Sequence, residues 1–138
     1  MPFICPNLRS IEEQAIAGDG DGDGSCVALI RASVPGLRGT SSSGWRAGAA
    51  VVGEQRIARG TAIATFEDGR YANRPGFDHA AIFLEYAGAG IWVLEQRAGD
   101  DSASVQRSFI PTGQAGHDGS FADPTKAAAA FSVIELRG

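Results

Sequence analysis

A chain of 138 residues, 43% hydrophobic and 20% charged, has the composition of a folded globular protein and a length that one ordinary domain fills, so a single domain over residues 1–138 is expected. Its net charge of −4, with twelve Lys and Arg scattered rather than clustered, argues against a nucleic-acid partner held by its phosphates. No apolar stretch approaches the roughly 20 residues of a membrane-crossing helix, and Met1-Pro2-Phe3-Ile4-Cys5 lacks the basic and apolar segments of an export signal, so synthesis in the cytoplasm and no membrane span are expected.

Residues 8–17 place Leu8, Ile11 and Ala15 on one helical face, and Ser10 with Glu13 three later is a capping-box pair, which predicts a short N-terminal helix. The run Asp19-Gly20-Asp21-Gly22-Asp23-Gly24 imitates the first half of a calcium loop. The position that would supply the bidentate carboxylate is Ile30, so the run reads as an acidic turn and no metal is expected. Residues 25–32, Ser25-Cys26-Val27-Ala28-Leu29-Ile30-Arg31-Ala32, fit a strand by β-branching and a buried helix by Ala and Leu content; periodicity leaves both open. Glycines cluster over 18–24, 36–48 and 113–119, and these stretches read as loops within one domain.

From Gly60 onward the pattern turns to strands. Residues 61–66 form the first, ended by a turn at Glu67-Asp68-Gly69-Arg70. Residues 79–85 and 91–96 read as a hairpin joined by a loop over 86–90, and the alternating run 131–136 closes the sheet. Helical material early and strands late predict an α+β fold with a mostly antiparallel sheet.

A thiol that attacks an amide needs a lowered pKa, an adjacent base and donors for the developing oxyanion. Cys26 meets these needs if its run is a helix, because the first turn presents free N–H groups and the positive end of the helix dipole. Taken singly, a cysteine before an apolar run is more often a buried small hydrophobe, and a strand histidine more often a packing residue. His79 nevertheless opens a strand, and the hairpin brings a third polar group beside it. A pairing centred on Ala87 opposes Glu95 to His79; a centre between Ala87 and Gly88 opposes Gln96. Trp45, Tyr71 and Trp92 are candidates for lining a substrate groove. Cys5 has no apolar run behind it, and His117-Asp118 stands in a glycine-rich stretch without a second ligand, so neither is assigned a role.

Four motifs occur in a familiar order. Gly24-Ser25-Cys26-Val27-Ala28-Leu29-Ile30 resembles the Gly-x-Cys-Val-x-Leu signature at the nucleophile of NlpC/P60 and CHAP cysteine peptidases. The run Arg59 to Phe66 is similar to their Gly-Asp-apolar strand, His79-Ala80-Ala81-Ile82-Phe83 to their His strand, and Val93-Leu94-Glu95-Gln96 to the CHAP strand that carries Glu. Over residues 18–136 the likeness is greatest to small amidases of this superfamily used as type VI secretion effectors. The resemblance implies a papain-like fold with the nucleophile Cys26 on a helix N-terminus, His79 as base, no cofactor, and hydrolysis of peptide stems or crosslinks of peptidoglycan. It also implies secretion into the periplasm of a rival cell and a cognate periplasmic immunity protein in the producer. Arg97 stands where CHAP proteins usually place Asn, which leaves the third member between Glu95 and Gln96. The order Cys then His separates the chain from circularly permuted relatives. A silent binding module and a cysteine acyltransferase are the alternative functions.

Overall fold

The computed structural model describes residues 3–6, 8–11, 26–54, 56–71, 79–96, 105–113 and 124–136. Its centre is a six-stranded sheet of β1 (Trp45–Ala50), β2 (Ala62–Thr65), β3 (Ala80–Ala87), β4 (Gly90–Glu95), β5 (Gln106–Pro111) and β6 (Phe131–Leu136). The strand order is β1-β6-β2-β3-β4-β5, and every neighbouring pair is antiparallel. The α+β reading with an antiparallel sheet therefore holds. Among the described residues, no helix is long and apolar enough to cross a membrane.

Helices are short: α1 (Leu8–Ile11), α2 (Cys26–Ser33) and α3 (Val51–Glu54). Ser10 lies inside α1, so the helix begins before the position where a capping box would start it; Glu13 falls outside the described residues, as does the acidic run 19–24. The ambiguous run at Cys26 is a helix. Leu29 and Ile30 are fully buried beneath it, against Ala62, Ala64 and Ala80 of β2 and β3, together with Ile82, Leu84 and Leu94. Alanines under a helix let its backbone approach the sheet closely, and each of the two large aliphatics contributes about 1.5–3 kcal/mol on burial.

The opposite face carries a second core of Ile63, Ala81, Phe83, Ile91, Val93, Ile110 and Phe131, covered by Val51 of α3 and by Ala128 in a single helical turn before β6. With both faces covered, β2 reads Ala-Ile-Ala-Thr, all buried, rather than alternating apolar with polar.

Of the two turns expected between strands, one forms as read and one does not. Residues 67–70 form the predicted turn, with Glu67 and Arg70 exchanging backbone hydrogen bonds and with positive φ at Asp68 (52°) and Gly69 (78°), the paired left-handed geometry for which Asp-Gly is suited. The hairpin loop, however, is not five residues long: β3 runs to Ala87 and β4 starts at Gly90, leaving Gly88-Ala89 as the turn. Leu84 is then bulged out between the pairs Phe83↔Val93 and Glu85↔Trp92. Neither register considered for the hairpin is the one formed, because a two-residue turn and a bulge together set the pairing as Ile82↔Leu94.

The glycine-rich stretch 36–48 is also only partly loop. Its end enters β1, which pairs with β6 through Trp45↔Leu136 and Ala47↔Ile134.

Candidate active site

Cys26 is the first residue of α2 and is buried, 6% exposed as a residue. The N-terminus of the helix faces the start of β3, where His79 and Ala80 lie. Burial raises the thiol pKa, but the His79 side chain, by hydrogen bond and by charge, the Tyr71 hydroxyl and the Ala80 backbone outweigh it, and the thiol is held below its ordinary range. A thiolate at this place also sees the positive end of the α2 dipole.

His79 precedes β3 and stands at the end of the sheet. Its main chain is fixed by Thr65, the last residue of β2: Thr65 N–H donates to the His79 carbonyl at 2.9 Å, and the His79 N–H donates to Thr65 Oγ1 at 2.9 Å. Its ring meets Phe131 of β6 edge-on, with centroids 6.4 Å apart. Nε2 lies 2.9 Å from Oε1 of Glu95, and both residues are buried. With Nε2 given to the carboxylate, Nδ1 is the nitrogen left for the thiol.

The ring therefore bridges two faces of the sheet. Along β4, Leu94 belongs to the core beneath α2, and Val93 to the opposite core. Alternation puts Glu95 on the Val93 side and carries Gln96 toward the Leu94 side, where it is buried. Glu95 is the hydrogen-bond partner of the imidazole.

The three aromatic candidates part company. Tyr71 reaches Cys26: its hydroxyl lies 3.5 Å from Sγ. Trp45 is fully buried and packs edge-on against the Tyr71 ring with centroids 5.3 Å apart, while its indole N–H donates to Thr40. It is a wall behind Tyr71 and offers no face to a groove. Trp92 stands on β4, half-buried and edge-on to the exposed Phe109 of β5.

Cys5 is buried and forms no disulfide, and its N–H donates to the Gly60 carbonyl just before β2, at the end of that strand away from Thr65 and His79. His117 and Asp118 lie outside the described residues. The residue that sequence reasoning missed altogether is Thr65. It stands inside the run Arg59 to Phe66 as one strand residue among others, and only the pairing of β2 with β3 brings it to His79.

An antiparallel α+β fold that lines up a buried thiol, an imidazole and a carboxylate in hydrogen-bond series has the parts for acyl transfer through a thioester. Comparison with known proteins places the chain among amidase effectors. The profile described as domesticated amidase effector 2 matches residues 2–123, and the chain belongs to this family. It is 34% identical to the type VI secretion amidase effector 2 protein of Salmonella typhi, covering 98% of this chain and all of that one. It also superimposes on the solved structure titled type 6 secretion amidase effector 2 with a TM-score of 0.84 at 33% identity, covering 100% of this chain and 97% of that one.

Proposed function

We propose that this protein is a cysteine amidase that hydrolyses an amide bond in the peptide stem or crosslink of peptidoglycan, and that it serves as an antibacterial type VI secretion effector. The observation that carries the reading is the series Cys26, His79, Glu95 in a chain of the amidase effector family. In it, the Cys26 thiolate attacks the amide carbonyl and forms a C–S bond, with free N–H groups of the first turn of α2 as donors to the oxyanion. The C–N bond then breaks as protonated His79 gives its proton to the leaving amine. Water, deprotonated by His79, attacks the thioester; the C–S bond breaks and the thiolate returns. Glu95 holds the ring in one orientation and stabilises its charged form throughout. The acidified thiol supports an enzyme over a silent binding module. We read the arrangement as papain-like, in the manner of NlpC/P60 and CHAP proteins, with one domain carrying the whole activity.

The names of the relatives support secretion by a type VI machine; we further propose that the target is the periplasm of a rival cell and that a periplasmic immunity protein protects the producer by covering Cys26. Purified protein incubated with sacculi tests the activity: release of muropeptides shorter by one amide bond supports it, and transfer of the acyl group to an added amine instead identifies an acyltransferase.

A further inference from the structure

Tyr71 is separated from Cys26 by 45 residues of sequence and belongs to none of the motifs that mark the nucleophile and base. It follows the 67–70 turn, which is tied to β1 by the Ala47 N–H donating to the Gly69 carbonyl. Two rings from different parts of the sheet hold it edge-on: Trp45 at the start of β1, centroids 5.3 Å apart, and Phe66 just after β2, centroids 6.5 Å apart. Tyr71 itself is 6% exposed, and its hydroxyl is 3.5 Å from Sγ, an ordinary hydrogen-bond length to sulfur.

We infer that Tyr71 is a further catalytic residue, whose hydroxyl donates to the sulfur of Cys26 and holds it as the thiolate before attack. The inference rests on the reading of Cys26 as the nucleophile. Packing alone would be served by a phenylalanine between Trp45 and Phe66. The hydroxyl is what a phenylalanine lacks, and it is aimed at the reacting atom. A phenol, with an ordinary pKa near 10, stays protonated when the thiol has ionised, so in that state the phenol is the donor. A charge-assisted bond of this kind is stronger than a neutral one, and stronger again where water is excluded. When the C–S bond forms, the sulfur loses its charge and the bond weakens, which frees the hydroxyl for the substrate. His79 alone would have to sustain both the thiolate and the later proton transfer; a second donor separates these tasks. The two hydrogen-bond roles open to a phenol at 3.5 Å predict opposite signs. A phenol that donates to the thiolate lowers the thiol pKa, whereas one that accepts from the neutral S–H raises it.

The test is the pH dependence of Cys26 alkylation by iodoacetamide, followed on the Cys26 peptide by mass spectrometry so that Cys5 does not contribute. In Tyr71→Phe the midpoint of alkylation rises by about one pH unit, equivalent to about tenfold less thiolate below the midpoint. The acid limb of kcat/KM on sacculi moves with it, while KM changes little. Labelling with 3-fluorotyrosine, a more acidic phenol and a stronger donor, moves the midpoint the other way and keeps the proposal testable should Tyr71→Phe fail to fold. A midpoint unchanged by both perturbations, or one that falls in Tyr71→Phe, overturns the inference; so does a loss confined to KM. Alkylation needs no peptidoglycan, so failure of the substrate assignment would appear as inactive wild-type protein with this shift intact.

Discussion

His79 Nε2 lies 2.9 Å from Glu95 Oε1, although the hairpin register does not oppose the two residues. Carried back from Ile82↔Leu94, the register does not oppose Glu95 to His79, so Glu95 reaches the ring diagonally. The partner is fixed by the face on which the strand places it and not by direct opposition. Glu95→Ala therefore lowers turnover on sacculi by about a hundredfold, on the scale of general acid–base contributions, and more than Gln96→Ala does. If Gln96→Ala proves the more damaging in steady-state assays, the ring takes its orientation from the amide.

Thr65 is the second positional requirement. Its hydroxyl accepts the His79 N–H at 2.9 Å and is 2% exposed. Thr65→Val keeps the shape but strands that N–H, at a cost of about 1–3 kcal/mol in stability. It also lets the imidazole drift, so kcat falls beyond what the melting shift accounts for. Thr65→Ser restores kcat more fully than it restores the melting temperature. Activity kept in Thr65→Val but lost in Thr65→Ser would mean that the methyl group, not the hydroxyl, carries the role.

The acid limb of the rate profile reports the thiol. Burial pushes its pKa up, while His79, Tyr71 and the Ala80 backbone pull it further down, so the net shift is downward and thiolate persists to lower pH than in an ordinary cysteine. The acid limb of kcat/KM then falls below the ordinary thiol value of about 8.5. An acid limb at or above that value contradicts the site as described.

Where the protein acts follows from the substrate. Expressed in the cytoplasm of a Gram-negative host the chain is harmless; directed to the periplasm by an added signal peptide it lyses the cell, and co-expression of a periplasmic immunity protein restores growth. Culture turbidity and microscopy read the outcome. Equal toxicity in both compartments would point to a target other than the cell wall.

Part of the candidate site was legible because His79 lies on an element with a strong local signal. His79-Ala80-Ala81-Ile82-Phe83 reads as a strand on its own, and the Asp-Gly pair specifies its turn. Cys26 was legible only as a candidate nucleophile, not as helical, since Val-Ala-Leu-Ile suits either structure and burial against the alanines of β2 and β3 decides between them. β1 was hidden because Trp-Arg-Ala-Gly-Ala-Ala lacks β-branched residues; it is a strand through its pairing with β6. β5, Gln106–Pro111, is an edge strand whose exposed residues break the alternation. The Leu84 bulge leaves no mark in the sequence, and without it the hairpin register was out of reach. Trp45 looked like a groove residue because nothing in its composition separates a buried indole from an exposed one.

The central claim is that the Cys26 thiol cleaves the wall. The most direct measurement is mass spectrometry of muropeptides released from purified sacculi by wild type, Cys26→Ala and Cys5→Ser, with thermal melts to verify folding. Cys5→Ser places a hydroxyl in a buried site and is less stable by about 1–3 kcal/mol, yet it releases the wild-type products. Cys26→Ala melts as a folded protein and releases none. Products from folded Cys26→Ala at the wild-type rate would contradict the account.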